Sequence, residues 1–443
     1  MLKTFSKGGV HPKENKISTG CKITQIEVPK QACIFVSQHI GAPAEPIVTK
    51  GDFVKVGQII AKAKGFVSAN IHSSVSGTVV KIDKAIDVNG YKQTAIFIDT
   101  DGDQWLDTID KSDEIKFDFQ NKEIEEIKAK ITESGLVGSG GATFPTHVKI
   151  SIPEGKVCEH LIINAVECEP YLTADHQLML EHPEEIMIGC KLVQKITRAK
   201  KVLIGIENNK QDAVKLLSEV AKKYPDIEVF ALKVKYPQGA EKQLIKSLVN
   251  REVPSGKLPI EVGCVVQNVG TIFSIYEAVM KNKPFFERVV TVTGKSLTKQ
   301  SNILARIGTP INLLIEAAGG IPENTGKIIG GGPMMGKALV NEFVPVTKGT
   351  SGILLMPKNQ STRPQSCNCI RCGKCMQACP MGLEPYLLKN LSVLGMFEEM
   401  QTEHVLDCVE CGCCSFTCPA GIPLLDHIRL GKATVNKMLR DKK

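Results

Sequence analysis

Ten of the sixteen cysteines lie between residues 367 and 418, and eight of these ten form two copies of one spacing. Each copy reads C-x2-C-x2-C-x3-C-P, first at residues 369–380 and again at residues 408–419. Three thiolates on one tight turn can reach three irons of a 4Fe–4S cube, and in two-cluster proteins with this motif the fourth cysteine binds the other cluster. The proline stops the chain from continuing as a helix past that cysteine.

We therefore predict two 4Fe–4S clusters with exchanged fourth ligands. Cluster 1 takes Cys369, Cys372, Cys375 and Cys418, and cluster 2 takes Cys408, Cys411, Cys414 and Cys379. Zinc is the alternative, but zinc sites are usually two separated pairs of ligands rather than two complete four-cysteine runs. Two clusters with crossed ligands lie close together, so we interpret them as a path for electrons. Cys367 and Cys413 fall outside the spacing and are predicted to be free thiols.

Helices are expected to position these cysteines. Between the two motifs, leucines recur near helical spacing at Leu387, Leu388, Leu391 and Leu394. The tail over residues 423–439 has a helical pattern too. A polar stretch with a proline, residues 358–365, precedes the cysteines and indicates a domain boundary. The sequence thus predicts an all-helical ferredoxin domain with two 4Fe–4S clusters over residues 361–443.

Length and composition limit the class of protein. The chain has 443 residues with 23% charged and 42% hydrophobic residues, which is ordinary for globular proteins and unlike disordered or fibrous ones. At roughly 100–200 residues per domain, about three domains are expected. The net charge of +8 is mildly basic and lacks the basic stripe of a nucleic-acid binder. No apolar run is long enough to span a bilayer and the first residues show no signal peptide, so we expect a soluble or peripheral protein.

The rest of the chain divides by its hydrophobic pattern, giving a multi-domain α+β protein. Residues 1–103 hold an irregular leader and short Val- and Ile-rich strands, and they resemble the lipoyl-like barrel-sandwich family, without a lysine at the hairpin tip near residues 66–70. Residues 104–285 begin with a polar linker and then alternate apolar strands with amphipathic helices, which predicts an α/β domain with a parallel or mixed sheet. Residues 286–360 return to a β pattern with one helix near residues 311–318, a small β module.

A glycine-rich loop opens a predicted helix in the α/β domain. The segment from Gly135 to Lys149 reads GLVGSGGATFPTHVK. Backbone N–H groups of such a loop can close on a phosphate at a helix N-terminus. A plain turn is an equally good interpretation of the loop taken alone.

Four segments in the same order resemble the NADH-oxidising flavoprotein subunit of respiratory complex I. GSGGATFPTHVK at residues 138–149 is similar to its flavin loop GRGGAGFPTGLKW, and NAVECEP at 164–170 is similar to its NADE-x-EP. YPQGAE at 236–241 resembles its GEE segment, and VVQNVGT at 265–271 resembles its VVNNVET. The chain departs from the pattern at Ser139, Val166 and Ala240.

The resemblance implies non-covalent FMN and NAD(H) in this domain. It implies that Gly138, Gly140 and Gly141 approach the flavin phosphate closely, that Lys149 pairs with that phosphate, and that Phe144 stacks near the nicotinamide or adenine. It further implies flavin contacts for Asn164, Asn268 and Thr271, and dinucleotide contacts for Glu169 and Glu241; Asp175 falls where the complex I pattern has an aspartate. Hydride transfer then needs no other catalytic residue.

Over nearly the whole chain, the order of parts is similar to the RnfC family of the Rnf electron-transport complex, the ion-translocating ferredoxin:NAD oxidoreductase. FSKGGVHPKENK, the barrel-sandwich module, the flavin domain, a soluble-ligand-binding-type β module with KIIGGGPMMG, and two cluster motifs follow in this order. The resemblance implies a peripheral electron-transfer subunit on the cytoplasmic face of the membrane. Its partners would be membrane and other subunits of the complex, NADH, and ferredoxin directly or through another subunit, with no nucleic acid.

Two other interpretations stay open at this point. A soluble cobalamin reductase of the propanediol-utilisation type has a similar flavin domain and paired clusters. An iron–sulfur relay that binds no nucleotide would also fit, because Ser139, Val166 and Ala240 depart from the flavin pattern.

Overall fold

The computed structural model of the chain describes residues 2–442. The fold is multi-domain, with β, α/β and helical parts in the order that the hydrophobic pattern predicts. Across these residues, no helix combines the length and the apolar character needed to cross a membrane.

The first part is a small β structure. Two sheets, in the orders β2-β8-β7-β4 and β3-β5-β6, enclose one apolar core because alternate Val and Ile side chains of their short strands point inward. This agrees with the predicted barrel-sandwich module. The strands are β1 Ile23–Gln25, β2 Gln31–Phe35, β3 Glu45–Pro46, β4 Phe53–Val54, β5 Ile59–Lys62, β6 Ile71–His72, β7 Gly77–Ile86 and β8 Lys92–Thr100.

The leader is more structured than predicted, so the expectation of an irregular segment up to residue 30 is wrong in part. Strand β1 pairs in parallel with a later strand, and Val10 forms an antiparallel bridge with Tyr236. The N–H of Gly9 also donates to the Ala378 carbonyl at 2.9 Å. Isolated backbone pairs of this kind need no hydrophobic periodicity, which is why the sequence pattern did not reveal them.

The α/β part has a four-stranded parallel sheet in the order β11-β10-β9-β12. Its strands are apolar on both faces because helices cover both, and separate apolar cores lie on the two sides. The elements are α1 Ile124–Glu133, α2 Thr146–Ile150, β9 His160–Asn164, α3 Ala174–Glu181, α4 Pro183–Thr197, β10 Lys201–Glu207, α5 Gln211–Ala221, β11 Ile227–Leu232, α6 Glu241–Val249, β12 Cys264–Asn268 and α7 Val269–Met280, with 3-10 turns at Asp118–Asn121 and Pro259–Val262.

The third part is a mixed sheet in the order β1-β14-β13-β17-β15-β16, with helix α8 packed on its apolar face. Its first strand, β1, comes from the leader, so the sheet joins a strand near the N-terminus to strands more than 250 residues later. The elements are β13 Glu287–Thr293, β14 Ser301–Arg306, α8 Ile311–Ala317, β15 Thr325–Gly330, β16 Lys337–Ala338, β17 Gly352–Pro357 and α9 Lys358–Ser361.

Helices supply all the regular structure of residues 362–442. Of the four spacer leucines, Leu388 and Leu391 are buried against the last helix, whereas Leu394 is 70% exposed at the helix end. The elements are α10 Lys374–Ala378, α11 Pro385–Leu394, α12 Phe397–Thr402, α13 Cys413–Phe416 and α14 Leu424–Asp441, with a 3-10 turn at Val405–Asp407.

Candidate functional site

The parallel sheet provides one preferred place for a ligand. In open α/β sheets, ligands bind outside the carboxyl ends of the strands where the strand order reverses. That reversal lies between β9 and β12, because β10 and β11 follow on one side of β9 and β12 lies on the other. The two strands end in register at Asn164 and Asn268. Two residues predicted to contact flavin therefore meet at this point.

The glycine-rich loop closes on itself beside these strand ends. Val137 bridges to Pro145, and the N–H of Gly138 donates to the Phe144 carbonyl at 2.9 Å. Within residues 2–442, the N–H groups of loop residues 140–143 donate to no protein acceptor. A Cβ on Gly141, whose φ is +100°, would meet no atom within 4 Å. The loop thus presents several free donors on an open side, which suits an anionic group such as a flavin phosphate.

Asn268 ties this loop to helix α7. Its side-chain oxygen accepts from the N–H of Gly270 at 2.9 Å and from that of Thr271, so it caps the helix. Its amide nitrogen donates to Asp175 Oδ2 at 2.7 Å. The Thr271 hydroxyl accepts from the Ser139 N–H at 2.9 Å. The predicted residues Asn268, Thr271 and Asp175 are therefore brought together under the loop.

The carboxyl of Asp175 is buried close to a second carboxyl group, that of Glu167. Burial raises the pKa of its carboxyl to about 7, the neighbouring Glu167 acts in the same direction, and the hydrogen bond from Asn268 opposes the rise. Glu167 accepts from the N–H groups of Asp175 and His176 at the start of α3. A carboxyl with a pKa displaced by burial and a like charge is typical of a functional site.

A second group of predicted residues lies at the start of α6. The Asn164 amide donates to the Gly239 carbonyl at 2.8 Å, two residues before the helix begins. Lys149 from α2 pairs with Glu241, the first residue of α6, at 2.5 Å. Both side chains are about a third exposed. The lysine predicted to pair with the flavin phosphate and the glutamate predicted to contact the dinucleotide thus pair with each other here.

Glu169 is bonded to the third part of the chain and makes no bond to that pair. Its carboxylate accepts from the N–H of Met335 at 2.7 Å and of Met334 at 3.1 Å. Burial raises its pKa to about 7, and these two backbone donors act against the rise. The backbone of Met334 in turn lies close to Gly412 in the second cysteine motif.

The cysteines of the second set meet around one cavity. Cys379 from the first motif lines it together with Cys408, Cys411 and Cys414 from the second motif, and Cys413, which falls outside the spacing, lines it as well. The remaining lining is apolar and includes Leu388, Leu425 and Ile428. Across residues 2–442, no three His, Cys, Asp or Glu side chains are arranged to hold a single metal ion. The four of these cysteines that lie at the motif spacing are the set predicted to hold one 4Fe–4S cube.

The first set is open to solvent. Cys369 and Cys372 are exposed, while Cys375 and Cys418 pack against the helical core. Burial raises the pKa of Cys375, and the charge of nearby Cys418 adds to the rise.

The two motifs nevertheless share one backbone. The residue before the second cysteine has a positive φ in both copies, 53° at Arg371 and 55° at Glu410. The glycine after that cysteine has a φ of 71° in one copy and 78° in the other and starts a short helix each time. Both turns therefore present their first three thiols in the same way.

Comparisons with known proteins give the same four parts. A family model of the RnfC barrel-sandwich hybrid domain matches residues 3–103, and one of the Nuo51 FMN-binding domain matches residues 131–277. Models of the SLBB domain and of a 4Fe–4S dicluster domain match residues 289–338 and 363–420.

Two curated relatives match over most of their lengths. The C component of the proton-translocating ferredoxin:NAD(+) oxidoreductase complex of Clostridium ljungdahlii is 45% identical, over 92% of this chain and 88% of the relative. The C component of the Na(+)-translocating ferredoxin:NAD(+) oxidoreductase complex of Acetobacterium woodii is 43% identical, over 97% and 96%. The chain belongs to the RnfC family, the C components of the ion-translocating ferredoxin:NAD oxidoreductase complexes.

A solved structure resembles this member of the RnfC family in fold. The crystal structure of an NAD+-reducing NiFe hydrogenase in the H2-reduced state aligns with a TM-score of 0.50, covering 72% of this chain and 64% of that chain. The sequences are only 18% identical. This likeness therefore concerns the fold alone.

The sequence pattern missed several residues that the fold brings to the site of this RnfC family member. Arg288 and Lys348, both from the third part, are buried beside the glycine-rich loop. Tyr236 links the α/β part to the second cysteine motif, because its hydroxyl donates to the Cys411 carbonyl at 2.9 Å. The sequence offered one signal for Arg288, a basic residue in the β-forming run RVVTVT that begins with it.

Proposed function

We propose that this protein passes electrons between NAD(H), FMN and two 4Fe–4S clusters within a membrane-bound, ion-translocating ferredoxin:NAD+ oxidoreductase. One observation carries the proposal: a loop with free N–H donors and a cavity lined by cysteines of both motifs lie in the same chain, and Tyr236 of the α/β part bonds to the Cys411 carbonyl beside that cavity. FMN supplies the conversion between a hydride, which carries two electrons, and the single electrons that iron–sulfur clusters accept.

For FMN, we propose that the free donors after Gly138, at Gly140 and Gly141, receive the phosphate. Lys149 adds a positive charge next to this loop when it leaves Glu241. Such an exchange is feasible because the pair is partly exposed and therefore weak.

Asn164, Asn268 and Thr271 are proposed to orient the flavin at the strand ends. Asn268 and Thr271 are already fixed by helix α7 and its cap. Flavin binding therefore costs little further loss of conformational entropy at these two side chains. Asp175 is proposed to act through Asn268, to which it is hydrogen-bonded.

For NAD(H), we propose that Phe144 and Glu241 contact the dinucleotide beside the loop. Phe144 is half-buried and ends the closed loop. Glu169 is proposed as a more distant contributor, because its carboxylate is bonded to the backbone of Met334 and Met335.

The proposed cluster ligands are the two crossed sets. Cluster 1 is held by Cys369, Cys372, Cys375 and Cys418, and cluster 2 by Cys408, Cys411, Cys414 and Cys379. Cluster 2 is proposed as the neighbour of the flavin part, since Tyr236 bonds its Cys411 carbonyl. Cluster 1 is proposed as the outer end, since Cys369 and Cys372 are exposed.

We also propose domain limits at residues 103, 285 and 360, so that each cofactor lies in its own part. The relatives are components of larger complexes, and the absence of a spanning helix in residues 2–442 is consistent with peripheral attachment. NADH as the dinucleotide and ferredoxin as a direct or indirect partner are proposals that follow from the names of the relatives. We propose the cytoplasmic face of the membrane for the chain, as the family resemblance implies.

Anaerobic reconstitution of the full chain tests this function. We expect about eight irons per chain, as two 4Fe–4S clusters require, together with one FMN. Adding NADH should bleach the flavin absorbance and then the iron–sulfur absorbance. A chain that holds its irons and FMN but stays oxidised in excess NADH would refute the proposed role.

A further inference from the structure

Arg288 is a buried cation without an ion-pair partner. It lies on β13, outside the α/β part, and only 7% of it is exposed. Across residues 2–442, no carboxylate oxygen lies within 4.0 Å of its guanidinium. Its nitrogens donate instead to backbone carbonyls of Lys348, of Ser139 at 3.2 Å, and of Val289 at 3.4 Å. Burying such a charge is costly unless other groups compensate it.

The bond to Ser139 reaches directly into the flavin loop. The Ser139 N–H is held by the Thr271 hydroxyl, and its carbonyl is held by Arg288. In a trans peptide the carbonyl and the following N–H point in opposite directions. Fixing the Ser139 carbonyl on Arg288 therefore turns the Gly140 N–H away from Arg288, and this is the first of the free donors of the loop.

The charge of Arg288 also reaches a buried carboxyl of the same site. It lowers the pKa of Asp175, against the effects of burial and of Glu167, and burial lowers the pKa of Arg288 itself to about 10. Asp175 holds the Asn268 amide at 2.7 Å, and Asn268 caps α7 beneath the loop. The guanidinium thus influences the loop by a direct bond and the strand ends through a charge.

We propose that Arg288, contributed by the small β domain, is a positioning residue for the flavin: it aims the loop donors at the FMN phosphate and balances the buried carboxylate of Asp175. The small β domain thereby completes a binding site that the α/β part does not complete alone. This inference rests on the FMN site proposed above.

The test measures FMN affinity of the full chain with both clusters in place. FMN is removed and titrated back while flavin fluorescence is followed, in wild type, R288M, R288K and R306M. Arg306 is the matched control, because it lies on neighbouring β14, is 14% exposed and pairs with Glu287 at 3.0 Å without touching the loop. Iron content and the visible circular dichroism of the clusters report whether each variant is folded.

We expect R288M to weaken FMN binding by about tenfold or more, the usual scale for losing a charged hydrogen bond in a buried site. R288K should lie between, since an ammonium cannot reproduce a fork that reaches two carbonyls. The FMN affinity of R306M should stay within about twofold of wild type, because Arg306 does not touch the loop and independent sites do not couple. If R288M does not fold, R288K alone carries the comparison.

A double variant separates positioning from general damage. If Arg288 balances Asp175, then D175N should recover part of the affinity lost in R288M, whereas purely structural effects would add. Wild-type-like FMN affinity in a folded R288M or R288K, or strictly additive effects in the double variant, would overturn the inference on Arg288. A wild-type chain that binds no FMN would instead overturn the FMN site itself.

Discussion

The two cysteine motifs have the same spacing and the same backbone turn, but their surroundings differ. In the first copy, Cys369 and Cys372 are exposed, as are the residues between them. In the second copy, Cys411, Cys413 and Cys414 are buried, and the leader and Tyr236 cover the turn. The cysteine spacing determines which cluster a motif can hold, whereas burial determines which molecules can reach that cluster. The first copy is thus open to solvent, whereas the second is covered by other parts of the same chain.

Matched positions make this difference specific. Glu410 in the second copy pairs with Arg429 and Lys432 of the last helix, both at 3.1 Å. Arg371, at the same place in the first copy, is exposed. Cys413 is fully buried, with its sulfur 3.9 Å from the Tyr236 carbonyl, whereas its counterpart Lys374 is exposed.

The largest expected effect comes from removing one cluster at a time. Cys411→Ser and Cys372→Ser should each lose about half the iron, as one of two 4Fe–4S clusters, and keep FMN, because the flavin lies in another part. With NADH, the remaining cluster of Cys372→Ser should still be reduced, since it is the cluster proposed to adjoin the flavin part. The remaining cluster of Cys411→Ser should stay oxidised. Absorbance and electron paramagnetic resonance would follow both clusters.

If the remaining cluster of Cys411→Ser were reduced and that of Cys372→Ser stayed oxidised, cluster 1 rather than cluster 2 would be the neighbour of the flavin part. Wild-type FMN content in both variants is the internal control. Loss of flavin together with the iron in Cys375→Ser would contradict separate sites, since that cysteine lies in the exposed copy.

The second prediction concerns the order of iron loss. A chelator should remove iron in two phases, the fast phase from the exposed copy, because solvent reaches Cys369 and Cys372 first. Cys372→Ser should abolish the fast phase and leave the slow one. The time course of iron release, with FMN fluorescence as the control for the flavin site, would measure this. A single phase in the wild type would mean that the two clusters are equally accessible.

The third prediction concerns the contact that covers the inner copy. Tyr236→Phe removes the hydroxyl that donates to the Cys411 carbonyl at 2.9 Å, leaving that buried acceptor without its partner. A loss of about 1 kcal/mol is typical of one such bond, and the slow phase of iron release should accelerate. Tyr224→Phe, which loses a 3.4 Å bond to Glu184 in the α/β part and none to a cysteine motif, is the control. Equal rates of slow iron release in Tyr236→Phe and Tyr224→Phe would show that the Tyr236 hydroxyl does not protect the buried copy.

The sequence predicted what depends on local pattern. The apolar strands of the α/β part and the helix near residues 311–318 follow from hydrophobic periodicity, and the structure has β9, β10 and α8 there. The pairing of β1 with β14 and the bond from Arg288 to Ser139 join residues more than a hundred positions apart. Such contacts depend on how whole domains pack, which a local pattern does not contain.

The same limit explains the site residues. Asn268 could be predicted because its segment resembles a flavin pattern, and its capping role was added by the fold. Which copy of the cysteine motif lies inside could not be predicted, because the two spacings are identical. The deciding contacts come from the leader and from Tyr236, which are distant in sequence.

The smallest expected effect tests the outward face of the exposed copy. Arg371 and Lys374 flank Cys372, so an acidic electron carrier would be attracted there. Lys374→Glu should slow electron exchange with an acidic ferredoxin several-fold at low salt, and the difference should vanish at high salt, since screening shortens the reach of exposed charges. Lys389→Glu on α11 offers a charge-matched control. NADH reduction of the clusters should not change in either variant, because the proposed electron path enters through the buried copy. A slowing that persists at high salt would indicate damage to cluster 1 rather than a lost docking charge.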